Sequence, residues 1–322
     1  MVFTLLAYGS VLVSPATFKL SAGISVFIPV FLLINLIVFL YYLIRLSRKM
    51  VIPLALLLLG YPFIKVSFGV HGGSDGEGDF SLLNYNVKWF VVDRGQSIKD
   101  ISALAAELSP DIVCMQEYHH EWYNFDELNK GGDYELVVEN PSYSLAILTR
   151  FKVLNKGLLF KEKVFNNIQF ADLLVKPGDT LRVYNVHLES MGINTSNLQD
   201  TEGIREEYDE VKTKFLDGAA IRAEQIEELM AHVANTDWPV LIAGDFNDVP
   251  YSHNYFRIRN EFDNAFEKAG SGLGVTYNGK LPFLRIDHQF FNDGLQIESF
   301  NTLNHVNYSD HFPVLGIYSL SD

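Results

Sequence analysis

Short apolar runs that end abruptly on polar residues recur along the chain from residue 80 onward. Runs of this kind, bounded by turn residues, predict buried strands. Apolar residues at helical spacing predict helices at 97–108 and 218–235. The polar stretch 191–217, between the predicted hairpin and the second helix, is too long for a tight turn and favours a helical insertion. The predicted strands lie at 80–87, 111–117, 143–151, 239–247, 286–292 and 311–320, and residues 170–190 read as a hairpin turning at 177–179.

This order of elements predicts the fold class. Many strands with few, scattered helices favour an α/β (α+β) fold in which two packed sheets are flanked by helices. A regular array of alternating strands and helices would instead predict one parallel sheet. We therefore expect two sheets in a single large body.

The first 69 residues have a different pattern, because their apolar runs are longer and carry few polar residues. Residues 23–44 are uncharged and long enough to cross a bilayer core of about 30 Å as a helix. Residues 51–68 form a second predicted span. Residues 1–13 are apolar but short, so they fit either a partial third span or a surface segment.

Charge supports a membrane region followed by a separate body. Three of the five basic residues in 1–69 lie in the loop 45–49, which the positive-inside rule places in the cytoplasm. The body would then lie outside the cytoplasmic membrane, as in a multi-pass protein of the bacterial inner membrane. We expect a transmembrane region at 1–69, a hydrophilic linker at 70–79 and a separate folded domain at 80–322.

The composition of the body limits its partners. Of 25 Lys and Arg residues, five lie in 1–69, so 20 remain against 39 acidic residues and the body carries a formal charge of −19. Binding of long nucleic acid draws most of its affinity from basic residues on phosphates, which disfavours such a partner here. The one cysteine, Cys114, lies in an apolar run and is read as a core residue.

Polar residues suited to metal or phosphate chemistry lie at the ends of several of the predicted strands. Taken singly, each has a structural explanation, such as an Asp-Asn turn that caps its own backbone or a hydrogen-bonded histidine at a strand end. Their recurrence at one strand end after another favours a shared site. The residues are Asn86, Glu117, His187, Asp245, Asn247, Asp287, Asp310 and His311.

The segments that carry these residues resemble a known family. In order along the chain, "NYNV", "QE", "NVHLES", "GDFND", "RIDH" and "SDHFPV" look like the endonuclease/exonuclease/phosphatase superfamily, over residues 80–320. The resemblance implies a four-layered α/β sandwich with two central mixed sheets, and Mg²⁺-dependent hydrolysis of phosphoesters. With its N-terminal helices, the chain also looks like membrane-anchored bacterial members of the kind seen in Bacteroidota.

The resemblance also implies a metal site. Mg²⁺ prefers oxygen ligands and leaves room for water and phosphate, and Mn²⁺ is the alternative ion. Glu117 would be the main ligand, with Asn86 beside it and Asp310 joining directly or through water.

The remaining strand-end residues would act on the phosphate. Asp245 would orient or deprotonate the attacking water, and Asn247 would hold a phosphate oxygen. His311 would hydrogen-bond the phosphate while Asp287 holds its tautomer. His187 would donate to the phosphate or assist the leaving oxygen.

Some positions depart from the family pattern or fit it weakly. Lys88 stands where many nuclease members carry an acidic residue, which places more of the metal binding on Glu117. Arg222 fits either a phosphate contact or a surface arginine of a helix. Asn166 and Asn167 are candidate substrate contacts. Specificity is expected in the loops 120–140, 191–217 and 250–283.

Three hypotheses for function follow from these observations. The first is a membrane-anchored, Mg²⁺-dependent phosphodiesterase or phosphatase, with lipid head groups as plausible substrates beside the bilayer. The second is an extracytoplasmic endonuclease or exonuclease acting on short nucleic acid. The third is a catalytically inactive binding module, which the complete set of strand-end residues disfavours. Nothing in the sequence points to a protein partner.

Overall fold

The computed structural model describes residues 1–71, 76–90, 94–119, 129, 133–139, 144–162, 165–192, 204–279 and 283–321. Part of the predicted linker and parts of all three predicted specificity loops therefore lie outside the described residues. The chain divides into two compact units. The first comprises Met1–Phe68, Ser190–Ile226 and Asp248–Ile258; the second comprises Gly69–Glu189, Glu227–Asn247 and Arg259–Asp322.

Nine helices and fourteen strands are described. The helices are α1 (Val2–Ser10), α2 (Leu20–Ser25), α3 (Ile28–Ile44), α4 (Val51–Leu59), α5 (Tyr61–Ser67), α6 (Arg94–Leu108), α7 (Ile204–Val233), α8 (His253–Arg259) and α9 (Ala265–Ala269). The strands are β1 (Gly69–Val70), β2 (Phe80–Asn86), β3 (Ile112–Gln116), β4 (Glu135–Val137), β5 (Leu145–Thr149), β6 (Lys152–Leu158), β7 (Ile168–Lys176), β8 (Asp179–His187), β9 (Val240–Asp245), β10 (Asp263–Asn264), β11 (Ser271–Gly272), β12 (Asp287–Phe291), β13 (Leu295–Thr302) and β14 (Val314–Leu320).

Two mixed six-stranded sheets form the centre of the second unit. Sheet I has the order β13-β14-β2-β3-β5-β4, and sheet II has the order β10-β12-β9-β8-β7-β6. Each contains one parallel pair, β2 with β3 and β8 with β9, and its other pairs are antiparallel. The short strands β1 and β11 pair separately.

Alternating residues of sheet I face two different cores. In β2, Phe80 and Leu82 belong to the core between the sheets, whereas Leu83 and Tyr85 pack on the other face with Ile101 of α6. Successive side chains of a strand point to opposite faces of the sheet. A strand whose odd and even positions are both apolar must therefore be covered on both faces. Helix α6 thus forms one outer layer.

Sheet II has the same arrangement. Val183 of β8 and Ala243 of β9 face the core between the sheets. On the opposite face Tyr184 Oη lies 2.8 Å from Nδ1 of His232 in α7, and the ring of Phe170 lies 4.8 Å from that of His232. The second unit is therefore layered as helix, sheet, sheet, helix, which confirms the predicted fold class.

Buried amides link the sheets within their common core. Nε2 of Gln116 donates to Oδ1 of Asn84 at 2.8 Å and to Oδ1 of Asn185, across in sheet II, at 2.7 Å. The Asn185 amide donates in turn to the carbonyls of Met115 and Ala146. A buried amide keeps its hydrogen bonds in only one geometry. These amides therefore fix the alignment of sheet I against sheet II.

Most predicted elements are confirmed, but six strands were not predicted: β1, β4, β6, β10, β11 and β13. Four of them are only two or three residues long. β6 is an exposed strand at the end of sheet II, and β13 carries a bulge between Ile297 and Ser299. Neither of these two longer strands shows clean alternation of apolar and polar residues. The predicted helix at 218–235 begins earlier, at Ile204, and so takes in part of the predicted helical insertion.

The apolar N-terminal helices belong to the first unit. By length and composition, residues Leu20–Ile44 are long and apolar enough to cross a membrane, with a mean hydropathy of 2.7. The second predicted span is broken, because α4 and α5 are bent by 54°. Helix α1 has nine residues and measures roughly 14 Å, which is too short to span a bilayer core.

One glycine is expected to be essential for the strand that leads into "GDFND". Gly244 has φ +153°, and a Cβ there would lie 1.9 Å from the carbonyl oxygen of Val186 in β8. We predict that Gly244→Ala lowers the free energy of unfolding by about 3 kcal/mol or more, through overpacking and backbone strain. Thermal unfolding of the full chain in detergent measures this.

Gly178 provides the matched control. It also has positive φ, +97°, but a Cβ there would meet nothing within 4 Å. Gly178→Ala should therefore cost only about 1 kcal/mol of strain. Equal losses for the two variants would contradict the steric argument.

Candidate active site

The ends of the central strands bring the predicted site residues together in the second unit. In sheet II, Asp245 of β9 pairs with His187 of β8 on one side and with Asp287 of β12 on the other. In sheet I, Asn86 and Gln116 are partners at the ends of β2 and β3, so Glu117 follows directly beside Asn86. Residues distant in sequence thus meet at one edge of the sandwich.

Asn86 connects the two sheets at this edge. Its Nδ2 donates to Oδ2 of Asp245 at 3.0 Å and to Oε1 of Glu117 at 3.2 Å. Its Oδ1 accepts the backbone N–H of Lys88 at 3.0 Å. The amide nitrogen therefore faces the carboxylates, and the predicted ligation of a metal by Asn86 oxygen stays a prediction.

The two carboxylate oxygens of Asp245 have different surroundings: one binds the backbone and the other faces the candidate site. Oδ1 accepts the backbone N–H of Asn247 at 2.8 Å, which is the self-capping turn considered from the sequence. Oδ2 lies 3.7 Å from Nε2 of His311 and 3.9 Å from Nε2 of His187. The carboxylate is almost fully buried, at 1% exposure. Its Oδ2 is therefore held among three side-chain nitrogens.

His311 and Asp287 form a buried pair. Nδ1 of His311 lies 2.8 Å from Oδ2 of Asp287, which leaves Nε2 directed towards Asp245. Burial alone would lower the pKa of His311, but the negative charges of Asp287, Asp245 and Asp310 outweigh it and raise the pKa to about 10. The imidazole is therefore a cation at neutral pH.

Asp310 is held by a neighbour that departs from the family pattern. Nζ of Lys88 lies 2.5 Å from Oδ2 of Asp310, and both side chains remain partly exposed. Ser309 fixes the adjacent backbone, because its Oγ donates to the carbonyl oxygen of Asn86 at 2.8 Å. Lys88 thus places a positive charge on a carboxylate predicted to bind metal.

The donor set fits a divalent cation. Single ligand atoms of Asp245, Asp287 and His311 lie within 4.8 Å of one another, although Asp287 and His311 already satisfy each other. Glu117 adds a carboxylate oxygen 3.9 Å from Nε2 of His187. Among the described residues, the buried atoms Oδ1 of Asp287 and Nδ1 of His187 have no hydrogen-bond partner. Hard oxygen donors and surplus negative charge suit Mg²⁺ or Mn²⁺.

The remaining predicted residues serve the backbone in this structure. Nδ2 of Asn247 donates to the carbonyl of Leu188 at 3.1 Å, and Nδ2 of Asn166 donates to the same carbonyl at 2.8 Å. The amide of Asn167 binds the backbone of Phe160. The two bonds to the Leu188 carbonyl hold the backbone just after β8, next to His187.

Arg222 lies in the other compact unit. Its side chain is fully buried, and Nε lies 3.4 Å from Oδ2 of Asp248. Nδ2 of Asn254 donates to the same oxygen at 2.7 Å. The alternative of a surface arginine was therefore wrong. The spacing of apolar residues identifies the apolar face of a helix, but it does not show whether another segment of the chain covers the polar face. A role of Arg222 in substrate binding stays a prediction.

Sequence reasoning missed the residues that support His311. The ring of Tyr277 stands edge-on to His311 at 5.5 Å, and Oγ1 of Thr276 accepts the backbone N–H groups of Ile286 and Asp287. These residues lie in an irregular segment after Gly274. No periodicity marks such a segment, so the available signal was only its place before "RIDH".

The comparisons with known proteins agree with this geometry. A model described as the Endonuclease/Exonuclease/phosphatase family matches residues 83–311, which hold every strand-end residue named above. The chain belongs to the endonuclease/exonuclease/phosphatase family. Members of this family are hydrolases that act on phosphoester bonds. A second model, described as a domain of unknown function, matches residues 1–67.

Several solved structures share the fold. An endonuclease/exonuclease/phosphatase family protein from Leptotrichia buccalis is 17% identical, with a TM-score of 0.55 over 74% of this chain and 99% of its own. A truncated TDP2 from Caenorhabditis elegans is 17% identical (TM-score 0.56, 75% and 98%), and the mannosyl-6-phosphatase of Bacteroides thetaiotaomicron is 16% identical (0.50, 74% and 99%). At these identities the likeness shows the fold alone. No curated protein matches the chain.

We predict that His311 of this family member stays protonated in metal-free protein. Its imidazole signals should not titrate by NMR between about pH 6 and pH 9, because its pKa is raised to about 10. The folded-state pKa exceeds the unfolded value, so this group's contribution to stability is complete below about pH 6.5 and is lost as the pH rises towards 10.

Two variants test the cause of that shift. Asp287→Asn removes the charge hydrogen-bonded to Nδ1, so it should lower the pKa of His311. Asp293→Asn removes an exposed carboxylate from the loop after β12 and should leave His311 unchanged. A pKa insensitive to Asp287→Asn would rule out the pair as its source.

Lys88 should weaken metal binding at the strand ends. Lys88→Ala removes the ammonium from Asp310, so we expect Mg²⁺ and Mn²⁺ to bind more tightly in calorimetric titration, by about fivefold or 1 kcal/mol. Lys176→Ala, which breaks a 2.6 Å ion pair with Asp79 in the same unit, is the control and should change nothing. Weaker metal binding by Lys88→Ala would contradict this.

Proposed function

We propose that this chain is a membrane-anchored, divalent-metal-dependent phosphoester hydrolase that uses in-line attack by water. The observation that carries the proposal is that Asn86, Glu117, His187, Asp245 and His311 meet at one edge of the sandwich, each with a polar atom within 4 Å of at least one of the others. They come from both sheets, at the ends of β2, β3, β8 and β9 and from the segment just before β14. Packing of the core does not require so many polar groups there.

A divalent cation at this site is part of the proposal. When bound, Mg²⁺ polarises a phosphoryl oxygen and neutralises developing negative charge. Glu117, with Asp310 and Asn86, would hold it. The like charges of these neighbouring carboxylates, only partly offset by Lys88 and His311, support this assignment.

The chain's own residues would divide the work on the phosphate. Oδ2 of Asp245 orients the attacking water and takes its proton as the new P–O bond forms. The His311 cation donates from Nε2 to a phosphoryl oxygen, while Asp287 keeps Nδ1 occupied and fixes the ring. His187 supplies a proton to the leaving oxygen as the old P–O bond breaks. Asn247 orients a phosphate oxygen.

Membrane anchoring rests on the N-terminal helices. The helix Leu20–Ile44 has the length and apolarity of a span, and the loop 45–49 that follows carries three positive charges. By the positive-inside rule this loop is cytoplasmic, and α4 with α5, crossing the membrane as one bent span, would place the catalytic site on the other side of the bacterial inner membrane. A site tethered beside a bilayer favours lipid head groups as substrates. The formal charge of −19 on residues 70–322 disfavours long nucleic acid as a substrate.

Turnover of a substrate panel tests the proposal. The full chain in detergent with Mg²⁺ or Mn²⁺ should hydrolyse one class among a generic phosphodiester, a phosphomonoester, a short oligonucleotide and a phospholipid. Asp245→Asn and His311→Gln should each lower kcat at least about 100-fold, because proton transfer and charge stabilisation contribute on that scale. Removal of the divalent ion with a chelator should abolish turnover.

The control variant is His305→Gln, which alters an exposed histidine of the same unit and should retain activity. Cleavage of the oligonucleotide in preference to the phospholipid would favour the extracytoplasmic nuclease. Turnover that survives Asp245→Asn would overturn the assigned chemistry. No turnover of any class, together with no binding of divalent ions, would support the inactive binding module.

A further inference from the structure

An apolar groove runs through the first unit. Its walls come from α1, from α2 with the start of α3, and from one face of α7. Its volume is about 820 Å³, which is within the range of small-molecule and lipid pockets. The residues that matter below are Phe3, Ile24, Phe27, Val211, Phe215 and Lys212. We name this feature the α7 groove.

The groove is built by specific contacts between α7 and the N-terminal helices. Nζ of Lys19 lies 2.7 Å from Oδ1 of Asp217, at the junction where α2 begins. A Cβ on Gly23 would lie 3.4 Å from Cδ2 of Leu216, so α2 and α7 approach closely where glycine removes the side chain. These two features bring α2 and α7 together, so they set two of the three walls of the groove.

The chemistry of the lining selects the ligand. Phe3 and Phe27 keep 71% and 56% of their surface exposed, although contiguous exposed apolar surface is rare on a protein facing only water. Val211 and Phe215 are four residues apart and so share one face of α7. Among the lining residues that the structure describes, Lys212 alone carries a charge, and its side chain is exposed.

Continuity with the span indicates where the ligand comes from. Ile24 and Phe27 lie within Leu20–Ile44, the helix long enough to cross a membrane, so one wall of the groove extends directly from that span. Opposite this wall, Lys212 could meet an anion at the membrane surface. An apolar slot with one cation beside it matches the structure of a phospholipid, with acyl chain and phosphate joined.

We propose that the α7 groove binds one acyl chain of a membrane phospholipid, with the Lys212 ammonium on its phosphate. The site is separate from the strand-end residues and is formed within the first unit. It rests on the membrane anchoring proposed above. It adds a resident lipid that ties α7 to the N-terminal helices.

Photolabelling in a bilayer tests this. The full chain is reconstituted in nanodiscs of phosphatidylethanolamine and phosphatidylglycerol, with a trace of phosphatidylglycerol that carries a photoreactive acyl chain. Peptide mapping should find at least about fivefold more label on residues 20–31 and 211–216 than on Leu33 and Ile37. These two residues lie outside the groove on the same span and are as exposed as Phe27.

Matched variants separate the groove from general contact with lipid. Ile24→Trp fills the groove and should lower its labelling at least about fivefold, whereas Leu33→Trp, on the same span, should not. Lys212→Gln should lower labelling by the phosphatidylglycerol probe but not by a photoreactive diacylglycerol, which has no phosphate. An equal effect of Lys212→Gln on both probes would overturn the phosphate contact.

The remaining outcomes are distinct. Label spread evenly over the exposed residues of the span would overturn the groove while leaving the anchoring intact. Crosslinks between two copies through the groove, in place of lipid label, would identify a second chain as its occupant and overturn the proposal. A full chain that stays out of the membrane fraction would overturn the anchoring, and the proposal with it. Loss of phosphoester hydrolysis alone would bear on the catalytic proposal only.

Discussion

The hydrogen bond between Gln116 and Asn185 is the constraint on which the catalytic unit depends. It crosses from sheet I to sheet II inside a core that is built mainly from apolar side chains. A buried amide left without its partner costs roughly 1–3 kcal/mol, so any slip of one sheet against the other is penalised. The strand ends beyond this contact are aligned as a consequence, and the bond from Asn86 to Asp245 repeats the link at the edge.

The interior between the sheets changes character along its length. At one end lie Phe80, Leu181 and Leu241, in the middle lie the amides, and at the other end lie ionisable groups. Side chains two residues apart in a strand share a face, so each central strand carries this gradient in its own sequence. Burial at the polar end then raises the strength of every charge contact there.

Charge compensation explains why this end of the sandwich is stable. Asp245 and Asp287 are buried carboxylates, which are costly without partners. Asn86, the cationic His311 and the backbone N–H groups supply those partners. Lys88 does the same for Asp310 at the more exposed side. A divalent cation would complete the balance, and the same arrangement would serve a phosphate in hydrolysis.

Sequence alone determined the central strands with polar residues at their ends, the amphipathic part of α7, and the positions of the eight strand-end residues. The alternation of apolar and polar residues, and its abrupt polar ends, follow from which faces of an element are buried. It missed four strands of two or three residues, and it missed β6 and β13, whose patterns are blurred by exposure and by a bulge. Only the tertiary structure decided that Arg222 is buried, that Lys88 holds Asp310, and that Tyr277 and Thr276 support the His311 pair. Those contacts join segments far apart in the chain, and local periodicity carries no information about which distant side chains will meet.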